Sequence, residues 1–226
     1  LLVYSYFRTS KISSENRLWA GMAKETAHQI GTPLSSLMGW IEIMKLEEID
    51  ENIVEEVQKD VDRLQTIADR FSKIGSEPNL ELLNIVEETK KSFDYLQSRS
   101  SKQINFTFKT NTDIVNLLLN PTLHSWTIEN LVKNAIDAIK GKGTVVVEIR
   151  NNENYLQILV SDTGKGIAKN LFKKVFEPGF STKKRGWGLG LSLTQRIVEK
   201  YHKGTIKVLK SELGKGTTFS IQYKKM

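Results

Sequence analysis

The sequence predicts an α+β protein in which an N-terminal helical hairpin, paired with a second copy as a four-helix bundle, precedes an α/β sandwich. Two observations predict this division. Apolar residues recur every three or four positions up to about residue 74, as they do on helices, whereas short alternating segments typical of strands appear only afterwards. With 226 residues and 39% hydrophobic content, the chain is long enough for two modest domains.

The first predicted helix runs from about residue 11 to residue 44. Its apolar positions are Met22, Thr26, Ile30, Leu34, Leu37, Ile41 and Met44. Pro33 lies inside this helix, where it removes one backbone hydrogen bond and is expected to bend or loosen the helix locally.

A second apolar stripe predicts that the chain turns back as another helix. It comprises Ile53, Val57, Val61, Leu64, Ile67, Phe71 and Ile74. Because a two-helix hairpin has little core of its own, its stripes are expected to pack against a second copy, which predicts a homodimer. Turn residues at 75–78 form the expected linker. We therefore assign residues 1–10 to a juxtamembrane or terminal segment, 11–76 to the hairpin and 77–226 to the second domain.

The second domain is predicted to mix helices and strands. Helices are expected at 80–97, 126–140 and from about 189 to 201. Strands are expected at 103–109, 113–119, 144–150, 155–161, 205–209 and 217–223, and the third and fourth of them form a hairpin. A loop rich in glycine and lysine, residues 162–188, precedes the last helix.

Composition excludes several kinds of site. The chain has no cysteine, which excludes disulfides and thiolate metal sites, and its three histidines form no closely spaced ligand pair, which disfavours a zinc enzyme. Residues 11–76 carry 8 Lys and Arg against 12 Asp and Glu, whereas residues 77–226 carry 24 against 14. This basic excess suits a phosphate-bearing ligand, an acidic partner or an anionic membrane, or it is a solvated face. The sequence has no basic stripe interleaved with aromatic residues, the pattern that would indicate nucleic-acid binding.

The opening segment LLVYSYF is apolar but too short to span a bilayer. We expect it to follow a transmembrane or sensor segment. The chain is then the cytoplasmic portion of an inner-membrane protein.

Three clusters in the second domain carry the chemistry. Asn130 and Asn134, four positions apart, place two carboxamides on one helix face, where an oxygen suits hard Mg²⁺. The segment DTGKG at 162–166 follows a strand, and by itself it is also a common turn. The segment GWGLGL at 186–191 begins a helix, where backbone N–H groups approach an anion closely, although a plain capping loop has the same composition.

In this order and spacing, together with FEPGF at 176–180 and GKGT at 214–217, the clusters resemble the GHKL ATP-binding fold over roughly residues 80–226. The resemblance implies that Asp162 accepts a hydrogen bond from the adenine amino group. It also implies that Asn134 binds Mg²⁺, that Asn130 assists it, and that residues 165–187 form a mobile lid over ATP. The other implied nucleotide-binding residues are Lys133, Gly164, Gly166, Ile167, Phe176, Lys183, Gly186, Gly188, Leu189, Gly190 and Thr217, with Gly164 and Gly166 making room for the base and Lys183 contacting phosphate.

The residue four positions before Asn134 separates classes within this fold. The gyrase, mismatch-repair and chaperone ATPases place a glutamate there, as the base that activates water. This chain has Asn130, whose carboxamide cannot accept the proton, so transfer to an acceptor other than water is expected. The adjacent Glu129 is expected to point elsewhere on the helix.

The expected acceptor is His28. The run AHQIGTPL at 27–34 resembles the H-box of sensor histidine kinases, and a neutral imidazole nitrogen is nucleophilic near neutral pH. His28 falls almost opposite the apolar stripe and should face solvent, with Thr32 on the same face and Glu25 nearly so. The other two histidines, His124 and His202, are expected to be structural.

Gln29 departs from the H-box pattern, because the residue after the histidine is normally acidic. Glutamine can hydrogen-bond but cannot take a proton, so Glu25 is the alternative base. The resemblance implies an ATP-dependent histidine kinase that autophosphorylates His28 from Mg-ATP and relays the phosphoryl group to an aspartate of a response regulator, while Thr32 orients water for dephosphorylation of that partner. The alternatives are an ATP-binding pseudokinase scaffold or phosphatase-biased regulator, suggested by Gln29, and a GHKL ATP hydrolase, opposed by Asn130.

Overall fold

A computed structural model describes residues 29–75, 78–183 and 188–225 of the chain. Its internal contacts divide it between Pro78 and Asn79 into two compact units. The predicted site residues His28, Glu25 and Gly186 lie outside the described residues.

The first unit is a helical hairpin. Helix α1 covers residues 29–46 and continues through Pro33, and helix α2 covers Glu51–Gly75. The Asp50 carboxylate accepts a hydrogen bond from the backbone N–H of Asn52 at 2.9 Å, which satisfies one of the free amides at the start of α2. Neither helix within the described ranges is long and apolar enough to cross a bilayer.

The hairpin core consists of residues that follow a seven-residue spacing. Leu34 and Ile41 of α1 are buried against Val54, Val61 and Ala68 of α2. This spacing keeps one side of each helix in contact over several turns.

Two residues of the predicted stripe of α2 are exposed in the single chain, Ile53 at 55% and Leu64 at 42%. Apolar spacing alone does not distinguish the side that faces α1 from a second apolar side. Within the described part of the hairpin, the large apolar side chains that remain exposed are Leu37, Met38, Trp40, Ile43, Leu46, Ile49, Ile53 and Leu64.

The second unit alternates strands and helices. Its elements are β1 (Glu81–Asn84), α3 (Ile85–Ser98), β2 (Ile104–Thr110), β3 (Asn116–Leu119), α4 (Pro121–Ala138), β4 (Gly143–Asn151), β5 (Tyr155–Asp162), α5 (Gly190–Arg196), β6 (Thr205–Glu212) and β7 (Gly216–Lys224). Two 3₁₀ turns lie between β5 and α5, at Lys169–Leu171 and Lys174–Phe176, and α5 continues into a π-helical turn at Ile197–Tyr201.

Five strands form one mixed sheet in the order β2-β4-β5-β7-β6. Strands β2 and β4 are parallel, and the remaining neighbours are antiparallel. Every second residue of β4, namely Val145, Val147 and Ile149, is fully buried in a core shared with α3 and α4. The unit is therefore the predicted sandwich of helices on a sheet, with β1 and β3 paired as a separate antiparallel ribbon.

Two predicted helix boundaries are corrected. The segment predicted as a helix from residue 80 begins with strand β1, and α3 starts only after Asn84, whose side chain accepts a hydrogen bond from the backbone N–H of Val86. Helix α4 starts at Pro121 rather than at residue 126, because Asn120 caps it by accepting from the N–H of Leu123 at 3.0 Å.

The two histidines expected to be structural are buried, and both rings pack edge-on against the ring of Tyr223. His124 Nε2 lies 2.9 Å from Thr89 Oγ1, and His202 Nε2 accepts from the backbone N–H of Asn120 at 3.1 Å. Burial, with a smaller contribution from His202, lowers the pKa of His124 to about 3. Burial alone lowers the pKa of His202 to about 4, so both rings are neutral in the folded protein near pH 7.

Candidate functional site

One face of α4 carries the two predicted carboxamides. The Asn130 side-chain amide lies 3.5 Å from the carbonyl oxygen of Gly190 and 3.4 Å from Thr194 Oγ1, which connects α4 to the start of α5. Asn134 Oδ1, one turn further along α4, accepts a hydrogen bond from Lys183 Nζ at 2.8 Å. An asparagine oxygen on this face therefore already interacts with a cation supplied by the chain.

Asp162 ends β5 at the edge of the same region. Its Oδ1 accepts a hydrogen bond from the backbone N–H of Gly164 at 2.7 Å, and the N–H of Thr217 also donates to the carboxylate. Burial raises the pKa of Asp162, and the two backbone hydrogen bonds partly offset this rise. The carboxylate is thus held in a fixed orientation, in a position that is 9% exposed.

The glycines after Asp162 are required by the packing of the chain itself. A Cβ on Gly164 would lie 2.5 Å from the carbonyl of Ala138, at the end of α4. A Cβ on Gly166 would lie 2.1 Å from the carbonyl oxygen of Glu212, and the φ of Gly166 is +73°. Backbone thus fills the space that a side chain at either position would need, and the role of both glycines in making room for the base stays a prediction.

Hydrogen bonds connect the loop after β5 to the turn between β6 and β7. The Ser211 hydroxyl accepts from the backbone N–H of Ile167 at 2.7 Å and lies 2.9 Å from Thr217 Oγ1. The N–H of Gly214 donates to the carbonyl oxygen of Lys165 at 2.9 Å. These contacts hold Ile167 and Thr217, two predicted nucleotide-binding residues, beside Asp162.

The segment FEPGF anchors the described part of the loop that precedes α5. Phe176 is buried, and its ring packs edge-on against that of Phe219 with centroids 6.2 Å apart. The N–H of Gly179 donates to the carbonyl oxygen of Gly188 at 3.1 Å. Phe176 therefore acts as a core residue beneath the site, while Gly188, Leu189 and Gly190 lead into α5.

Lys133, a predicted nucleotide-binding residue, pairs with a residue one turn earlier on α4. Its Nζ pairs with Glu129 Oε2 at 3.1 Å, and Glu129 is buried, with Ser125 Oγ 3.4 Å from its other oxygen. As expected from the helix geometry, the carboxylate of Glu129 is thus engaged away from Asn130.

The described part of the H-box lies at the start of α1. Gln29 and Thr32 are exposed, whereas Leu34 is buried in the hairpin core. The two polar side chains are therefore accessible on the outside of the hairpin.

Sequence reasoning missed Asp137 and Ser211. Asp137 lies three positions after Asn134, and its Oδ2 accepts from Lys183 Nζ at 2.6 Å. The helical spacing of Asn130, Asn134 and Asp137 could have identified it. No local pattern could have identified Ser211, because its partners lie 44 residues earlier and 6 residues later in the chain.

At the candidate metal-binding face, the described residues provide amide oxygens as ligands rather than a cluster of carboxylates. No group of three or more His, Asp or Glu side chains among them could hold a metal ion. Mg²⁺ commonly uses one or two protein oxygens together with water and substrate phosphates, so a site based on Asn134 fits this ion.

The fold and the site together define a GHKL-type ATP-binding domain that follows a helical hairpin. Residues 123–226 match the family described as histidine kinase-, DNA gyrase B-, and HSP90-like ATPase. Residues 19–77 match the His Kinase A (phospho-acceptor) domain. The chain belongs to the sensor histidine kinases of two-component systems.

Known relatives agree with this assignment. Sensor histidine kinase ZraS of Salmonella typhi is 32% identical over 95% of this chain and 46% of its own length. Sporulation kinase A of Bacillus subtilis is 28% identical over 96% of this chain and 36% of its own length. The chain thus spans less than half the length of these curated relatives.

The catalytic domain of histidine kinase ThkA matches with a TM-score of 0.59 and 27% identity, over 65% of this chain and 95% of that domain. The structure of histidine kinase ThkA in complex with response regulator protein TrrA also matches in fold. Its TM-score is 0.63, and the identity is 24% over 100% of this chain and 67% of that chain.

Proposed function

We propose that the chain is a kinase core that binds Mg-ATP in its second unit, transfers the γ-phosphoryl group to His28, and relays it to an aspartate of a response regulator. The observation that carries this proposal is the chemistry around Asn130. Its amide interacts with the start of α5, and the neighbouring Glu129 pairs with Lys133, so neither residue is placed as a base for water.

The nucleotide is proposed to bind between Asp162 and the asparagine face of α4. Asp162 accepts from the adenine amino group, which suits a carboxylate already oriented by two backbone N–H groups. Lys183 and the backbone of Gly188 and Gly190 are proposed to contact the phosphates. Asn134 is proposed to hold Mg²⁺, which when bound would neutralise charge on the phosphates.

The transfer step is proposed to depend on positioning more than on proton transfer. A neutral imidazole attacks through a ring nitrogen lone pair, the bond from the γ-phosphorus to the bridging oxygen breaks, and ADP leaves. The proton on the other ring nitrogen then passes to water. Gln29 cannot remove a proton, but its exposed amide can orient the imidazole by hydrogen bonding. Thr32, also exposed, is proposed to orient water when phosphate is removed from the partner.

The hairpin is proposed to form a homodimer. Among the described residues of the hairpin, eight apolar side chains are exposed and only a few form its core, and pairing with a second copy would bury that apolar surface. The proposed second partner is a response regulator receiver domain, as in the complex of ThkA with TrrA. We also propose that the core functions on the cytoplasmic side of the inner membrane, where ATP is available.

Labelling with γ-labelled ATP tests the proposed function. The parent chain should acquire an acid-labile, base-stable label in the presence of Mg²⁺, and the His28→Gln variant should acquire none. Nucleotide binding without label would favour the pseudokinase or phosphatase alternative, and release of free phosphate without label would favour the hydrolase. Either result would overturn the proposal.

A further inference from the structure

One ammonium group connects two side chains on the candidate metal-binding face of α4. Lys183 Nζ donates to Asn134 Oδ1 at 2.8 Å and to Asp137 Oδ2 at 2.6 Å. Asn134 and Asp137 are three positions apart on α4 and therefore neighbours on its surface. The cation thus lies against the same oxygen that is proposed to bind Mg²⁺.

Asp137 supplies the charge that favours this position of Lys183. The lysine side chain is 42% exposed, so water competes for its ammonium group, and a neutral amide oxygen alone is a weak partner. A carboxylate within hydrogen-bonding distance adds an opposite charge and a charge-assisted hydrogen bond.

We propose that Asp137 is a positioning residue that holds Lys183 on Asn134, so that Lys183 competes with the divalent cation of Mg-ATP. This inference rests on the proposed Mg-ATP site. Asp137 is then a determinant of the affinity for the metal-nucleotide complex without touching either component.

The competition follows from the distances. Mg²⁺ binds an oxygen ligand at about 2.1 Å, so Mg²⁺ and an ammonium group on one oxygen would lie only about 4 to 5 Å apart. Two cations at that separation repel each other, and the ion with the higher charge retains the oxygen. Lys183 must therefore leave Asn134 when Mg-ATP binds, which frees its ammonium group for the proposed phosphate contact.

A direct metal-binding role for Asp137 would have the opposite consequence. If the carboxylate bound Mg²⁺, its removal would weaken Mg-ATP binding. If it only anchors Lys183, its removal should strengthen Mg-ATP binding. If the Asp137 carboxylate only repelled the phosphates, its removal would also strengthen Mg-ATP binding. That effect would be the same whether or not Lys183 is present.

A double-mutant cycle on the whole chain separates these roles. The Kd of Mg-ATP is measured by calorimetry for the parent, Asp137→Asn, Lys183→Met and the double variant. Asp137→Asn should tighten Mg-ATP binding about twofold to fivefold, as expected for an exposed ion pair, and should have little effect in the Lys183→Met background. Asp137→Glu should retain the parental Kd, because it keeps the charge.

Asp94→Asn is the matched control, because Asp94 also pairs with an exposed lysine, Lys90, but lies on α3 outside the site. It should not change the Kd. Weaker or unchanged binding by Asp137→Asn, or equal tightening in both backgrounds, would overturn the inference while the parent still binds Mg-ATP. A parent that binds no Mg-ATP would overturn the proposed function as well.

Discussion

At the scale of single residues, Asn134 and Asp162 are expected to contribute to ATP binding in different ways. Asn134→Ala removes the proposed metal ligand, so ATP affinity should fall about tenfold with Mg²⁺ and change little in EDTA. Calorimetric titration under both conditions measures the two affinities. An equal loss with and without Mg²⁺ would contradict a metal-binding role.

Asp162→Asn should reduce ATP affinity under both conditions. The carbonyl oxygen of the new asparagine can still accept from the N–H of Gly164, because Asp162 Oδ1 does so in the parent. Its side-chain NH₂ group would then face the amino group of adenine, and two donors cannot hydrogen-bond to each other. Competition with GTP provides the control, since guanine carries a carbonyl where adenine carries its amino group. Unchanged affinity for ATP would exclude Asp162 from the base-binding site.

Gln29→Glu restores the acidic residue usual after the phosphoacceptor histidine. The rate of label transfer to His28 should rise or stay the same, because a carboxylate can both orient and deprotonate the imidazole. Single-turnover labelling measures this rate, with the Mg-ATP Kd as the control. A large decrease would show that the glutamine amide has a specific role.

At the scale of elements, the loop after β5 depends on close backbone packing. Gly166→Ala should destabilise the second unit by about 1 to 3 kcal/mol, because the new Cβ would meet the carbonyl oxygen of Glu212 and the φ is positive. Gly214→Ala is the matched control: its φ is also positive, at +79°, but nothing lies within 4 Å of the new Cβ. Denaturant unfolding should show a clearly larger loss for Gly166→Ala, and equal losses would contradict the packing argument.

The sequence predicts elements that depend on local patterns and does not predict contacts between distant segments. The alternation of β4 and β5 and the spacing of the α4 asparagines are local patterns, and both appear in the structure. Strand β1 was mistaken for helix because it is only four residues long and is stabilised by pairing with β3, about 35 residues away. The contacts of Gly166 and Ser211 are likewise non-local, so only the fold could show them.

At the scale of the whole molecule, the buried histidine pair makes stability depend on pH. The pKa values of His124 and His202 are lowered to about 3 and about 4, so the unfolded chain binds more protons below pH 6.5. Stability should fall as the pH decreases from about 6.5 to about 4, by up to about 1.4 kcal/mol per pH unit for each histidine. Urea unfolding at several pH values measures this slope.

A variant with both histidines replaced by glutamine is the control for that slope. It should unfold with a flatter pH dependence over the same window, whatever its stability at pH 7. An unchanged slope would mean that other groups cause the acid sensitivity.

The division into a hairpin and a sandwich, and the membership in the sensor histidine kinases, were both predictable from patterns that extend over the whole chain. The buried side of α2 was not, because an apolar residue on a hairpin can face its own partner helix or a second copy. Ile53 and Leu64 are exposed in the single chain, and their contact with a second copy stays a prediction.

Transfer of the phosphoryl group to His28 can be tested by locating the modification in the chain. The chain has three histidines, of which His124 and His202 are buried in the second unit. After incubation with Mg-ATP, peptide mapping by mass spectrometry under basic conditions should place the phosphoryl group on the peptide that contains His28. Phosphorylation at another residue, or ATP turnover without any phosphopeptide, would contradict the account.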